Sequence, residues 1–299
     1  MMRRLARRFG WAVVVVWSTV TLAFLVESAL PSDPARMIAG QQAPAAAVAK
    51  IRKDLGLDRP LYVQYGRFLR RLLHVGPSSF STKDPAHGTC GNLGFVHVDL
   101  GRSYQQRRPV TTILAERAPR TLLLALTAAV VQALLGVTAG VIAAVKKRRL
   151  ADRVAVSVSL LGISAPTFLI GLMLQWIFAV KLRWFPIDGY GETTAEHAAS
   201  LVLPALTLGV FGAAYYTRMV RDEMIGELAH DYVRTARAKG LSSSAIIVRH
   251  ALRNSLMPIV TMFGLEVGTL VGGAIVTESV FRWPGIGSLS VDAMLDRDG

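Results

Sequence analysis

Five long apolar stretches place the strongest constraint on how this chain can fold. They cover residues 9–26, 121–145, 154–180, 198–217 and 255–277. Only the fifth contains a charged residue, Glu266. A helix needs about 20 apolar residues to cross a bilayer, so each stretch is long enough to be a membrane span. The pattern therefore predicts an all-α polytopic membrane protein with five transmembrane helices.

The overall composition agrees with a membrane protein. Of 299 residues, 52% are hydrophobic and 18% are charged, whereas a soluble domain has about 25% charged residues. The net charge of +14 by itself could indicate nucleic-acid binding, but the apolar excess favours membrane lipid as the partner instead. Cys90 is the single cysteine, which excludes an intrachain disulfide and the usual multi-cysteine zinc site.

The distribution of basic residues predicts the orientation. With the N-terminus in the cytoplasm, the inner segments 1–8, 146–153 and 218–253 carry 4, 5 and 7 Lys and Arg residues. The short outer segments 181–197 and 282–299 carry 2 each, as the positive-inside rule requires. A basic N-terminus before an apolar run also describes a signal peptide. The run of 18 residues is longer than a usual signal core, so we interpret it as a retained helix.

The chain divides into three predicted regions. Residues 1–30 form the N-terminal transmembrane helix and 31–117 an extracytoplasmic helical and loop region. Within that region, apolar spacing predicts helices at 44–55 and 55–73, and the Gly, Ser and Pro content of 76–94 predicts a loop. Residues 118–299 form the core of the chain. Within it we predict spans at about 121–145, 154–180, 198–217 and 255–280, and a cytosolic element at 218–253.

The sequence of the cytosolic element predicts two helices separated by a glycine. Apolar residues at helical spacing run from Met224 to Ala236, and Gly240 is expected to end that helix in a left-handed conformation. Ser242 can cap the helix that follows. A basic amphipathic segment of this kind can lie on anionic lipid or dock onto a cytosolic partner, and composition alone favours lipid.

The sequence of residues 231–241, DYVRTARAKGL, instead favours docking onto a cytosolic partner. It closely resembles the EAA motif in the cytosolic loop of the membrane subunits of ABC importers for dipeptides and oligopeptides. Further segments resemble the same family, namely 55–60, 99–103, 117–122, 203–208 and 278–287. The long outer region after the first span resembles the first of the two paired permeases. The resemblance implies that the following residues contact the ATPase: Tyr232, Arg234, Thr235, Ala236, Arg237, Ala238, Lys239, Gly240 and Leu241.

This family implies a permease of an ATP-driven importer in a bacterial-type inner membrane. Its expected partners are a second homologous permease, two ATPase subunits or domains and an extracytoplasmic substrate-binding protein. The chain contains no G-x-x-x-x-G-K-[ST] motif, so ATP and magnesium are expected on the partner ATPases and no cofactor on this chain. Dipeptides or oligopeptides are the expected cargo, with nickel or glutathione as alternatives. A proton-coupled secondary transporter that uses Glu266 is the rival from another class.

Three features depart from the family pattern. Residues 76–98 resemble an insertion, and Arg253 stands where the general motif has a proline. Family members also continue into a sixth span after a turn like residues 296–298.

Few residues suggest chemistry within the predicted membrane. A carboxylate at mid-membrane usually faces a bundle interior or a watery cavity, so Glu266 is the first candidate for the translocation pathway. A protonated or hydrogen-bonded structural glutamate at a helix contact is the competing interpretation. Gln132 and Gln175 are weaker pathway candidates, because interhelical hydrogen bonds explain them as well. His87, Cys90 and His97 lie close together in sequence, but three loosely spaced ligands in a glycine-rich loop favour chance. We therefore expect neither a metal site nor a catalytic site.

Overall fold

The computed structural model describes residues 2–29, 34–40, 43–75, 89–93, 96–103 and 105–296. His87 and most of the region 76–98 lie outside these ranges. The chain forms two compact units, Met1–Ala115 with Ala293–Gly299, and Glu116–Asp292. Four of the described helices are long and apolar enough to span a membrane, and a bent helix pair makes a fifth if the pair is counted as one span. The predicted class of an all-α polytopic membrane protein is confirmed.

The first unit contains short helices and a small sheet. Its elements are α1 (Met2–Ala29), α2 (Pro34–Ala39), α3 (Ala45–Leu55), α4 (Leu61–Leu72), β1 (Leu73–Val75), β2 (Cys90–Leu93), β3 (Val96–Asp99) and the beginning of α5 (Val110–Val145). The predicted helices at 44–55 and 55–73 correspond to α3 and α4. Gly56 has a φ of 72° and ends α3 in the left-handed conformation, so α4 begins only after this turn, at Leu61.

Aromatic residues hold α4 against α1. The ring centroids of Phe24 and Tyr65 lie 5.3 Å apart, and those of Phe24 and Phe68 lie 5.4 Å apart. The hydroxyls of Thr21 and Tyr65 share a hydrogen bond of 2.6 Å. The apolar spacing of α4 therefore serves packing against the first predicted span.

A three-stranded antiparallel sheet in order β1–β3–β2 was not predicted. Residues Cys90–Leu93 belong to the segment whose Gly, Ser and Pro content predicts a loop, yet they form β2 and pair with β3. Strand pairing is a non-local interaction, and a four-residue strand beside glycines leaves little alternating pattern to detect.

The second unit contains the helices of the membrane core. After α5 come α6 (Leu150–Ser164), α7 (Thr167–Leu174), a π-helical segment (Gln175–Lys181), α8 (Thr194–Glu227) and α9 (Asp231–Ala238). They are followed by α10 (Ser243–Ala245), a second π-helical segment (Ile246–Leu252), α11 (Arg253–Gly273), α12 (Ile275–Val280) and α13 (Ile286–Asp296).

The predicted span at 154–180 is divided between two helices rather than formed by one. The chain bends there by 106° between α6 and α7. Ala165 precedes Pro166, and its ψ of 133° is extended rather than helical. The proline ring disfavours helical backbone at the residue before it, which explains where α6 ends.

Glycines bring α5 and α8 into close contact. A β-carbon added to Gly136 would lie 2.9 Å from the carbonyl oxygen of Ala213, and one added to Gly140 would lie 2.8 Å from that of Thr217. Small residues let helix backbones approach closely in membranes, where apolar burial alone does not drive association. The contact between α5 and α8 thus depends on glycine at both positions.

An ion pair joins α6 to α8 at one end of the core. Arg221 donates from Nε to Asp152 Oδ1 at 2.5 Å and from its Nη2 to Oδ2 at 3.1 Å. The same carboxylate accepts the backbone N–H of Arg148 at 2.8 Å, so it also fixes the connection between α5 and α6. Asp152 is buried, which makes its two-pronged pairing with a guanidinium strongly directional.

We expect Arg221→Met to destabilise this end of the core by about 2 kcal/mol, because it leaves the Asp152 carboxylate buried without its cation. Arg221→Lys retains the charge but loses the fork geometry, so its effect should be about 1 kcal/mol. Thermal unfolding in detergent measures both. Equal stability of Arg221→Met and the parent protein would contradict a structural role for the pair.

Candidate functional site

The element at residues 218–253 contains a helix break that the sequence did not predict. Helix α8 ends at Glu227, and the continuous amphipathic helix expected from Met224 to Ala236 is interrupted before α9 begins at Asp231. The residue before the break, Glu227, accepts a 2.6 Å hydrogen bond from the hydroxyl of Tyr232. Burial, reinforced by this hydrogen bond, raises the pKa of Tyr232. Tyr232 therefore ties the start of α9 back to the end of α8.

The predicted stop at Gly240 is confirmed. Gly240 has a φ of +77°, in the left-handed region that L side chains rarely adopt. Its N–H donates to Arg237 O at 3.0 Å, and the N–H of Leu241 donates to Ala236 O at 3.2 Å. These bonds satisfy carbonyls at the helix C-terminus. No other part of the described chain lies within 4 Å of a β-carbon placed on Gly240.

The predicted cap at Ser242 is also confirmed. Its hydroxyl accepts the N–H of Ala245 at 3.3 Å, at the start of α10. The element therefore consists of α9, a left-handed glycine and a newly capped helix that leads directly into α11.

Helix α9 presents its basic residues away from the core. Val233 is fully buried, whereas Arg234, Arg237, Lys239 and Gly240 are exposed. Arg234 pairs with Asp231 at 3.3 Å along the helix. No ion pair within the described ranges involves Arg237 or Lys239. One face of α9 is thus anchored, and the other combines positive charge with small side chains.

Gln132, a predicted pathway residue, lies fully buried between α5 and α8. Its side chain occupies the space next to Gly212, where an added β-carbon would lie 2.7 Å from the Gln132 Cδ. Neither its amide nor the hydroxyl of the equally buried Tyr216 makes a hydrogen bond of good geometry within the described residues. Glu266 on α11 is half-buried and lies within electrostatic range of that hydroxyl. Helices α5, α8 and α11 therefore bring Gln132 and Glu266 toward the same tyrosine.

Gln175, the third predicted pathway residue, has a different environment. Its amide donates to the carbonyl oxygens of Ile187 and Val280, at 2.9 and 3.4 Å. These bonds connect the π-helical segment after α7 to the loop that follows it and to the end of α12. Such contacts correspond to the interhelical alternative that the sequence left open.

Glu278 is an important residue that the sequence analysis did not single out. It is fully buried on α12, where Oε1 accepts from the hydroxyl of Thr121 at 2.8 Å and Oε2 from the N–H of Ser288 at 2.9 Å. Gly285 and Gly287 leave the room that this carboxylate occupies. An acidic residue in an otherwise apolar window at the end of the fifth span was the available signal.

Comparisons with known proteins agree with this architecture. Residues 136–299 match the family described as the inner membrane component of binding-protein-dependent transport systems, and residues 1–125 match its N-terminal part. The chain is 38% identical over 298 residues to the glutathione transport system permease protein GsiC of Escherichia coli strain K12. That alignment covers 100% of this chain and 88% of the relative. GsiC of Salmonella typhi matches with the same identity and coverage.

A solved structure supports the same fold. The inward-facing MetNI methionine ABC transporter matches with a TM-score of 0.50 and 19% identity, over 62% of this chain and 82% of that chain. Taken together with the predicted spans and the DYVRTARAKGL segment, these matches show that the chain belongs to the family of inner-membrane components of binding-protein-dependent transport systems and is an ABC importer permease.

Proposed function

We propose that this permease imports glutathione or another short peptide and that α9 with Gly240 transmits the work of a cytosolic ATPase to the membrane helices. The permease assignment rests on the family. The cargo is inferred from the relatives, whose names specify glutathione transport.

The shape and charge of α9 are the main support for the proposed coupling role. A docking helix needs one face anchored to the permease and another that a partner can approach closely. Val233 and Tyr232 anchor α9, while Arg237 and Lys239 are exposed and able to pair with acidic or carbonyl groups. Because Ser242 starts the helix that leads into α11, rigid-body movement of α9 would be passed to a membrane span.

The proposed complex contains this chain, a second homologous permease, two ATPase subunits that bind ATP and magnesium, and an extracytoplasmic binding protein. In the proposed orientation the N-terminus and α9 are cytoplasmic, as the basic residues of 1–8, 146–153 and 218–253 favour.

The proposed pathway runs near Glu266 and Gln132. An ionisable side chain within a span is costly in lipid, and the half-buried position of Glu266, within electrostatic range of Tyr216, fits a polar cavity better than a lipid-facing site. Gln132 contributes a second polar group beside the same tyrosine. Gln175 fits this role less well because backbone carbonyls occupy its amide.

The coupling role predicts that Gly240→Leu reaches the membrane but fails to couple ATP hydrolysis to uptake. A β-carbon in the left-handed region costs about 1 kcal/mol or more, and the added bulk would meet the partner. Ala236→Trp should fail in the same way. The measurements are co-purification of the ATPase and ATPase stimulation by the glutathione-loaded binding protein in reconstituted membranes.

Two variants serve as controls. Asparagine tolerates left-handed backbone, so Gly240→Asn should retain more coupling than Gly240→Leu. Ser244→Ala changes an exposed position beyond the bend and should be mild. If Gly240→Leu and Ala236→Trp keep the ATPase and normal stimulation, α9 is a lipid-facing linker and the docking role is wrong.

A further inference from the structure

The small sheet of the first unit collects side chains that are distant in sequence on one face. His74 of β1 lies directly opposite His97 of β3, and Cys90 of β2 lies opposite Asp99. Alternate residues of a strand share a face, so Cys90 is on the same side as Asn92, the residue paired with His97. The register therefore places two imidazoles and a thiol together, one from each strand.

The distances between these side chains suit metal coordination. The Sγ of Cys90 lies 3.5 Å from the Nε2 of His74, and the ligand atoms of the three residues all lie within 4.8 Å of one another. The two imidazole rings meet edge to face with centroids 5.4 Å apart. Around a tetrahedral zinc ion, with bonds of about 2.0–2.3 Å, ligand atoms are roughly 3.5 Å apart. One pair already has this spacing, and small side-chain rotations bring in the third atom.

The surroundings of His74 orient it as a ligand. Its Nδ1 lies 3.3 Å from the carbonyl oxygen of Arg71, and a carbonyl can only accept a hydrogen bond. A proton on Nδ1 would make this hydrogen bond and would leave the lone pair on the Nε2 that faces Cys90. Histidine ligands in metal sites usually donate their second N–H to a carboxylate or a backbone carbonyl in this way.

Burial distinguishes this cluster from a chance surface group. His97 is fully buried, and Cys90 and His74 are partly buried. Metal binding would displace the thiol proton of Cys90, because the thiolate is the form of cysteine that coordinates a metal.

We propose that His74, Cys90 and His97 bind one thiophilic metal ion, with Zn²⁺ as the reference ion and water in the fourth position. One thiolate and two imidazoles favour Zn²⁺ or Cu⁺ over Mg²⁺ or Ca²⁺, which prefer oxygen ligands. Because each ligand comes from a different strand, the bound ion would join all three strands. None of these three ligands belongs to the coupling element or to the predicted pathway residues.

Cobalt provides a sharp test because Cys90 is the single cysteine of the chain. A thiolate-to-cobalt charge-transfer band in the full-length, purified permease can arise from Cys90 alone. We expect this band with one equivalent of Co²⁺, and its loss on addition of one equivalent of Zn²⁺. Cys90→Ser should abolish it. His74→Gln should weaken Zn²⁺ binding by more than the roughly 10–100-fold that loss of an outer-shell partner costs. His197 lies in the second unit, so His197→Gln is the matched control and should bind Zn²⁺ as tightly as the parent protein does.

A second measurement uses the unaltered protein and so does not depend on the folding of a variant. Zn²⁺ should slow alkylation of Cys90 by at least about tenfold, and a chelator should restore the rate, whereas Mg²⁺ should have no effect. Absence of the cobalt band, or equal Zn²⁺ affinity in Cys90→Ser and the parent, would overturn the proposal. Unchanged alkylation in the presence of Zn²⁺ would overturn it as well.

Discussion

Gly136→Leu should abolish most of the folded protein, because the new side chain has no space between α5 and α8. A β-carbon at this position would collide with the β-carbon of Tyr216 and lie 2.9 Å from the carbonyl oxygen of Ala213. Backbone atoms cannot yield as a flexible side chain can, so the two helices must separate. Overpacking typically costs 1–3 kcal/mol, and we expect about 3 kcal/mol or more here because leucine adds three further carbons.

The measurement is the yield of monodisperse protein in mild detergent, together with its thermal unfolding temperature. Gly10→Leu is the matched control, since Gly10 also lies in an apolar helix but has no other group within 4 Å of an added β-carbon. Leucine is the better helix former, so the control should be neutral or slightly stabilising. Gly136→Ala should be intermediate. Equal yields of Gly136→Leu and Gly10→Leu would show that α5 and α8 do not pack as described.

Glu278→Leu is the second change for which we expect a large effect, about 4 kcal/mol. It leaves the hydroxyl of Thr121 and the N–H of Ser288 without their acceptor, and each unsatisfied buried donor costs about 1–3 kcal/mol. Thr121 also accepts the N–H of Ile286 at 2.8 Å, so the loss extends to the start of α13. Contacts among the beginning of the second span, the end of the fifth and the turn after it would all weaken.

The comparison of Glu278→Leu with Glu278→Gln tests whether the loss of stability comes from the lost hydrogen-bond acceptors. Glutamine retains one acceptor but turns an N–H₂ group toward one of the two donors, so its effect should be about half as large. Glu192→Leu, at an exposed position, controls for loss of a carboxylate alone. Thermal unfolding of the purified chain measures all three. A stability loss no greater than that of Glu192→Leu would contradict the role of Glu278 as the buried acceptor of this turn.

Where a structural feature depends on neighbours along the chain, the sequence was sufficient to predict it. The number of apolar stretches follows from length and hydropathy, because a bilayer accepts only segments whose backbone groups are satisfied internally. The helix stop at Gly240 and the helix cap at Ser242 could also be predicted from the sequence. A helix stop in the left-handed conformation and a hydroxyl cap each involve residues within five positions of one another.

The break between α8 and α9 is a feature that the local sequence pattern does not determine. Periodicity from Met224 to Ala236 favours one helix, yet the chain interrupts it at Leu228–His230 and bonds Tyr232 back to Glu227. Either continuous or interrupted helix satisfies the same apolar spacing, so packing decides between them. Pro166 is the contrasting case. The bend follows from a local effect of proline on the residue before it, although the apolar pattern predicted 154–180 as one span, and the 106° angle required the structure.

By itself, then, the sequence determined the membrane class, the positions of the apolar stretches, the family and the bend at Gly240 and Ser242, since each depends on composition or on short-range bonding. Tertiary structure alone decided that His74 joins Cys90 and His97, that Glu278 is a buried acceptor rather than an exposed acid, and that Gln132 lies against Gly212. Each of those three outcomes includes a contact between residues at least 16 positions apart in the chain. No local pattern encodes such contacts, because strand register and helix packing choose the partners.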